Sequence, residues 1–190
     1  MSAVAVKALP FKSLYGIATK KLLWINGLAH TVWNRSNATR SAYYRTLQSE
    51  VHPDRFVTAS ANERMQSMQV ATQANEAYQT LKNTTARARY LLQLNGVETL
   101  EESNTAMPAD FLMLQMEWRE AIDDANAAKD VSALDALLIE IKQMAKVLSQ
   151  NLTGQFAEKA YTQASESVRK LSFIDKISAD INRAIEQLEN

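Results

Sequence analysis

The stretch VHPDRF, residues 51–56, interrupts a helical pattern with one of the chain's three prolines and one of its two histidines. The segment before it, TRSAYYRTLQSEV, places Tyr44, Leu47 and Val51 on one helical face. Pro53 ends that helix, because the residue before a proline is displaced from the α region. The stretch therefore predicts an exposed loop that follows a helix.

A second helix is predicted to begin at Ser60. Ser60 is followed three residues later by Glu63, the pattern of a capping box. This helix continues to about Lys82, and the residues on its apolar stripe are Ala71, Ala74, Tyr78 and Leu81. A shorter helix, ARARYLLQL, follows and is closed by Asn95-Gly96. The region thus indicates a helical hairpin with one short helix after it.

The whole chain is predicted to be all-α. It has 190 residues, 46% of them hydrophobic, and only four glycines and three prolines to break helices. The acidic, aperiodic segment VETLEESNTAMP indicates a linker at 97–107, between a domain at 1–96 and another at 108–190. Three helical patterns in the second domain suit an antiparallel three-helix bundle, at about 108–127, 131–152 and 157–189.

Several functional classes are disfavoured by composition. The net charge of zero gives no global electrostatic case for nucleic acid as a partner. The absence of cysteine excludes disulfides, thiol catalysis and zinc fingers. Apolar stretches near the start are far shorter than the roughly 20 residues that span a bilayer, so no membrane association is expected. No Gly-x-Ser-x-Gly, P-loop or His-x-x-x-His pattern occurs, so we expect neither an enzyme nor a bound cofactor or metal.

Residues 1–36 allow three interpretations. No Asp or Glu precedes Glu50, whereas seven Lys or Arg do. The segment KKLLWINGLAHTVW is compatible with a short helix, but Asn26-Gly27 is a turn signal. Basic residues with Ser and Thr also describe an organelle transit peptide. The third interpretation is a poorly ordered or non-native leader.

The tripeptide His52-Pro53-Asp54 has a structural explanation of its own. Proline stops the helix, Asp54 caps the following turn, and His52 lies near a helix C-terminus, where a cation is favoured. The segments around the tripeptide favour a functional explanation over this structural one. A hairpin whose second helix ends in NEAYQTLKN, followed by RARYLL, resembles the J-domain of DnaJ-type co-chaperones.

The second half of the chain narrows the resemblance to one group of J-domain co-chaperones. The segments DFLMLQMEWRE and VRKLSFIDKI are similar to those of HscB, the J-type co-chaperones of iron–sulfur cluster assembly. The resemblance covers about residues 39–190 and departs at the N-terminus, where an insert follows LPFKSLYG. It implies docking on an HscA-type, DnaK-like ATPase chaperone and stimulation of its ATP hydrolysis. The implied contact residues are His52, Pro53 and Asp54, with Arg45 and Arg55 steering toward an acidic surface or simply lying solvated.

The helix that begins near Pro108 has a surplus apolar face. Its core stripe consists of Phe111, Leu114, Trp118, Ile122 and Ala125. The opposite side carries Leu112, Met113 and Met116 with Glu117, Glu120 and Asp124. Taken alone, the pattern fits either an exposed interaction patch or a helix that buries both faces. The resemblance implies that these six residues, with Phe173 of the last helix, bind an IscU-type scaffold.

The resulting expectation is an adaptor between an ATPase chaperone and an iron–sulfur scaffold. Two alternatives remain open: a J-protein for another client, and a helical regulatory or structural domain whose His-Pro-Asp is coincidental. Eukaryotic members of the family often carry a cysteine-rich zinc module at the N-terminus. Its absence favours the bacterial cytoplasm over the mitochondrial matrix as the location.

Overall fold

A computed structural model describes residues 37–99 and 107–189. Over those ranges the chain is helical and contains no strand, which confirms the all-α prediction. The interpretations of residues 1–36 lie outside the described residues. The helices are α1 Asn37–Val51, α2 Ala61–Lys82, α3 Thr84–Leu94, α4 Ala109–Ala128, α5 Val131–Ala157 and α6 Tyr161–Glu189.

The chain divides into two compact units between Asn83 and Thr84. We call residues 37–83 the hairpin unit, and the described residues from Thr84 onward the bundle unit. The division places α3 with the bundle helices. The predicted linker at 97–107 stays a prediction, because most of it lies outside the described residues.

The hairpin unit consists of α1 and α2 packed against each other. Val51 is fully buried against Val70 and Ala71. Tyr44 stacks on Tyr78 with ring centroids 4.1 Å apart. The apolar faces predicted for both helices are thus the faces that meet, and the core between them is made mainly of small aliphatic side chains.

The capping box predicted for α2 is present. The Glu63 backbone N–H donates to Ser60 Oγ at 3.3 Å, and the Ser60 N–H donates to Glu63 Oε2 at 2.9 Å. The bonds from the Ser60 side chain and backbone favour the ionised carboxylate and lower the pKa of Glu63. This cap fixes where α2 begins after the VHPDRF stretch.

The stretch after α1 is more ordered than the predicted loop. Helix α1 ends at Val51, and a 3₁₀ helix covers Pro53–Phe56. A proline fits the first position of such a turn, because its φ is already fixed near −65° and its missing N–H would be unpaired there anyway. Pro53 therefore ends one helix and begins another.

Within the bundle unit, α4, α5 and α6 each pack against the other two. Short turns join them, as the predicted antiparallel bundle requires. Their common core consists of Phe111, Trp118, Ala125, Leu134, Leu138, Ile141, Ile174, Ile177, Ile181 and Ala184.

Two predicted helix boundaries in the bundle were wrong. Helix α5 continues through Gly154 to Ala157 instead of ending near 152, and α6 begins at Tyr161 instead of near 157. A single glycine in a helix costs only about 1 kcal/mol, which packing overcomes. The chain reverses at Lys159 instead, where φ is 56°.

Helix α3 packs along α6. The guanidinium of Arg89 donates through Nη2 to Ser172 Oγ at 2.7 Å, and the Tyr161 hydroxyl donates to Asn95 Oδ1 at 2.8 Å. Asn95 also donates through Nδ2 to the Leu91 carbonyl at 2.8 Å. Side-chain bonds therefore attach the middle of α3, and the residue that follows its last turn, to α6.

Candidate functional sites: the His-Pro-Asp turn and the α4 patch

The His-Pro-Asp turn presents two polar side chains to solvent. The Asp54 side chain is 85% exposed and the His52 side chain 52% exposed, whereas Pro53 is partly buried. The backbone N–H of Arg55 donates to the His52 carbonyl at 3.0 Å, which closes the 3₁₀ turn. The carboxylate of Asp54 is thus held out from the hairpin on a short hydrogen-bonded turn.

The His52 ring has two contacts at Nδ1 that exclude each other. Nδ1 lies 3.3 Å from the Asp54 backbone nitrogen and 3.5 Å from Asp54 Oδ2. Accepting the N–H requires an unprotonated Nδ1, whereas pairing with the carboxylate requires a proton there. The hydrogen bond from the Asp54 N–H makes Nδ1 an acceptor, which places the ring N–H at Nε2. The imidazole then caps the turn and leaves Nε2–H as an exposed donor.

The two arginines proposed for this site differ in their surroundings. Arg45 is exposed on α1, one helical turn or more before the His-Pro-Asp turn. Arg55 bends back, and its Nη1 donates to the Ser49 carbonyl at 3.0 Å. This bond satisfies one of the last four carbonyls of α1, which have no partner within the helix. Arg55 therefore stabilises the turn, whatever else it contacts.

One residue beside the turn was not singled out from the sequence. Ser67 of α2 is fully buried, and its Oγ donates to the Val51 carbonyl at 2.9 Å. A serine in mid-helix gives no distinguishing signal, because the contact joins residues that are 16 positions apart. Only the pairing of α1 with α2 brings these two residues together.

The α4 patch comprises Leu112, Met113, Met116, Glu117, Glu120 and Asp124. All six side chains are exposed, and the exposed fractions of Leu112, Met113 and Met116 are 44%, 64% and 61%. The possibility that α4 buries both of its faces is therefore excluded for the bundle unit. An apolar centre with carboxylates beside it resembles the core and rim of a protein interface.

Aromatic rings support the α4 patch from behind. Phe111 and Trp118 are buried, and their ring centroids lie 6.1 Å apart in an edge-to-face arrangement. Phe173 of α6 is partly buried, with its ring edge-to-face to Phe111 at 5.9 Å and stacked on Trp118 at 6.4 Å. The off-stripe Phe173 thus packs sideways against α4, and the three rings hold α4 and α6 together.

Two cations cover this aromatic cluster. The Arg119 guanidinium lies 5.6 Å from the Phe173 ring centroid, and Lys170 Nζ lies 5.6 Å from that of Phe111. Lys170 also pairs with Glu166 at 2.7 Å. Arg119 was not predicted to belong here, because a charge on a helix surface carries no periodic signal. Its guanidinium lies over the Phe173 ring, so it belongs to the surroundings of that side chain.

Two further properties concern the residues that the structure describes. Within residues 37–99 and 107–189, no group of three or more His, Asp or Glu side chains is arranged to hold a metal ion. None of the six helices combines the length and the apolar character needed to cross a membrane.

Known proteins resemble this chain over most of its length. Residues 107–182 match a family described as the HSCB C-terminal oligomerisation domain. The chain is 50% identical over 147 residues to the co-chaperone protein HscB homolog of Paraburkholderia phymatum, covering 77% of this chain and 84% of the relative. The chain belongs to the HscB family. The HscB homolog of Burkholderia mallei is 49% identical over 152 residues.

Solved structures of the HscB family have the same fold. Chaperone HscB from Vibrio cholerae superposes with a TM-score of 0.72 at 37% identity, covering 82% of this chain and 92% of that one. Human co-chaperone protein HscB superposes with a TM-score of 0.73 at 29% identity, covering 79% and 75%. The family resemblance read from the sequence is confirmed, and so is the fold that it implied.

Proposed function

We propose that this protein stimulates ATP hydrolysis by an HscA-type, DnaK-like chaperone and delivers an IscU-type iron–sulfur scaffold to it. The protein itself would act as an adaptor and carry out no chemistry. Its chaperone-binding residues would be His52, Pro53, Asp54, Arg45 and Arg55. Its scaffold-binding residues would be the α4 patch together with Phe173.

The observation that carries the proposal is the exposed, hydrogen-bonded His-Pro-Asp turn. A carboxylate held on a rigid turn loses little freedom when it binds a partner arginine, and such charge-assisted hydrogen bonds are about twice as strong as neutral ones. The imidazole of His52, which caps the turn through Nδ1, adds a donor at Nε2. Arg45 supplies positive charge nearby, which would speed encounter with an acidic surface.

The α4 patch supports the second half of the proposal. Leu112, Met113 and Met116 are exposed. The bundle core is formed by a different face of α4, so these three side chains are not needed to build it. Methionine side chains adapt their shape, so they suit a surface that must fit a partner. The carboxylates of Glu117, Glu120 and Asp124 would make a polar rim and favour a partner with basic residues around an apolar anchor.

Two binding surfaces in one chain give a physical reason for delivery. A scaffold held on the α4 patch is present at high effective concentration near the chaperone that the turn engages, so the second binding step becomes intramolecular. We place this activity in the bacterial cytoplasm, in keeping with the bacterial relatives named above. No cofactor is required for either contact.

The experiment is single-turnover ATP hydrolysis by the cognate HscA-type chaperone. It compares this protein alone, the IscU-type scaffold alone, and the two together at the same concentrations. We expect stimulation by this protein and a further, more than additive, increase when both are present. A matched arm uses a short peptide client in place of the scaffold.

The outcomes separate the alternatives. Synergy with the scaffold supports the adaptor. Stimulation that does not depend on the scaffold supports the chaperone contact. It also indicates that the α4 patch binds a different client. A rate equal to that of the chaperone alone would refute the chaperone half of the proposal and favour a helical regulatory domain.

A further inference from the structure

Ser67 lies in the second turn of α2, inside the hairpin, with no exposed surface. Its hydroxyl donates to the carbonyl of Val51, the last residue of α1 and the one directly before His52. We propose that Ser67 is a positioning residue for the His-Pro-Asp turn: it fixes the direction in which His52 and Asp54 face the chaperone. The inference rests on the function proposed for that turn.

The hydroxyl satisfies a carbonyl at the end of a helix. The last four carbonyls of an α-helix have no acceptor role within it and need a donor from elsewhere. Val51 is itself fully buried. A buried carbonyl that loses its donor is unfavourable, so the chain would move to find water or another partner. The hydrogen bond from Ser67 satisfies this carbonyl, so the chain has no need to move.

Holding this carbonyl also orients the residues that follow. The peptide bond between Val51 and His52 is planar, so fixing its oxygen fixes the plane that enters His52. The side chain of Val51 is fixed at the same time by Val70 and Ala71. The turn therefore starts from a residue that α2 holds by its side chain and by its backbone.

The remaining bonds of the turn depend on the orientation of His52. Its carbonyl accepts the Arg55 N–H at 3.0 Å, and its Nδ1 accepts the Asp54 N–H at 3.3 Å. A rotation of the peptide before His52 would move both acceptors together. The exposed carboxylate of Asp54 would then sample several directions instead of one.

Burial separates this role from a direct contact. Ser67 has no exposed surface with which to touch a partner, so any effect of its substitution on the chaperone must come through the turn. We expect Ser67→Ala to raise the concentration of this protein needed for half-maximal ATPase stimulation by about fivefold, the loss of roughly one hydrogen bond. The maximal rate at saturation should change little, because Asp54 is still present.

The test is a titration of ATPase stimulation with three variants. Ser67→Ala removes the donor, and Ser67→Cys retains a group of similar size with a weaker donor, so it should fall between Ala and wild type. The matched control is Ser167→Ala, which removes a buried serine hydroxyl from α6 in the bundle unit. Circular dichroism at the assay temperature verifies that each variant is folded, and scaffold affinity should be unchanged in all three.

A second readout needs no chaperone. Amide hydrogen exchange should accelerate at Asp54 and Arg55 in Ser67→Ala, while protection of amides near Tyr78, at the other end of the hairpin, stays as in wild type. Unchanged exchange at Asp54 and Arg55 would overturn the inference, as would an equal loss of stimulation in Ser167→Ala. If wild type fails to stimulate the chaperone, the proposed function fails, and the exchange data still decide whether Ser67 orders the turn.

Discussion

The two candidate surfaces are held in place by different means. The His-Pro-Asp turn is polar and stands on backbone hydrogen bonds at the end of a hairpin with a small aliphatic core. The α4 patch is apolar and stands on a helix whose other face carries Phe111 and Trp118 in a large core. The direction of the turn is set by hydrogen bonds to backbone atoms. The direction of the patch side chains is set by the helix α4, whose opposite face is buried.

This difference predicts how each surface fails. A patch residue can be shortened without moving its neighbours, because the helix under it is fixed by the opposite face. A turn residue cannot be treated alone, because the bonds of the turn join its residues to one another and to the end of α1. Substitutions in the turn should therefore alter geometry and contact together, whereas those in the patch should alter contact alone.

The largest effect is expected for Asp54→Asn. The change removes the charge from an exposed side chain and leaves its size, so we expect at least a 30-fold loss of ATPase stimulation, typical of removing one partner of a tight charge pair. The measurement is single-turnover hydrolysis with helicity followed by circular dichroism. Asp135→Asn, an exposed aspartate on α5, is the control. Helicity lost in step with activity would count against a contact role.

The next effect concerns the α4 patch. The double variant Leu112→Ala and Met116→Ala should weaken scaffold binding about 10- to 30-fold, because apolar anchors contribute most of the energy of an interface. Thermal stability and scaffold-free ATPase stimulation should stay close to wild type. The matched control, Ile139→Ala with Val147→Ala, shortens two exposed apolar side chains on α5. Equal losses in both double variants would remove the assignment of the patch.

A smaller effect should distinguish the two roles of His52. An asparagine can accept the Asp54 N–H as Nδ1 does, in an Asx turn, whereas a glutamine reaches the place of Nε2 and gives up the cap. We expect His52→Asn to retain protection of the Asp54 amide and His52→Gln to lose it. Stimulation by the Gln variant should then be weaker, by about fivefold. The reverse order would mean that the exposed donor matters more than the cap.

The smallest effect is a pH dependence at the α2 cap. The pKa of Glu63 is lowered from 4.5 by its bonds to Ser60, so the folded state favours the carboxylate. The stabilisation from these bonds is complete above 4.5 and is lost as pH falls through the lower folded value. Wild type should thus lose its advantage over Glu63→Gln in urea unfolding as the solution is acidified. Parallel pH profiles for both proteins would contradict this cap.

Local patterns predicted most of the helices correctly. The capping box at Ser60 and Glu63 was predicted correctly, because it depends on residues within one helical turn. The second apolar side of α4 was visible in the pattern, but the pattern alone left open whether that side is exposed or buried. The end of α5 was not predicted correctly, since Gly154 resembles a breaker and its helix is continued by packing. Periodicity could show that Phe173 lies off the core stripe, but not that it stacks on Trp118.

Contacts between distant segments account for the rest of what sequence could not show. Ser67 meets Val51, and Arg89 meets Ser172, across separations that no local signal spans. Arg55 was predicted to face a partner, and the structure shows in addition that it bonds to Ser49. The partner contacts proposed for the turn and the patch stay predictions until the binding experiments are done.

The attachment of α3 to α6 has a consequence for dissecting the protein. A fragment ending at residue 96 would contain α3 without α6, and would expose the otherwise buried Leu91 and Leu92. Such a fragment should aggregate or bind detergents and chaperones unspecifically, which would mimic a client. A cut between Asn83 and Thr84 leaves each compact unit entire. Activity measured on a fragment cut at residue 96 would then include unspecific binding through apolar side chains of α3, which are buried in the whole protein.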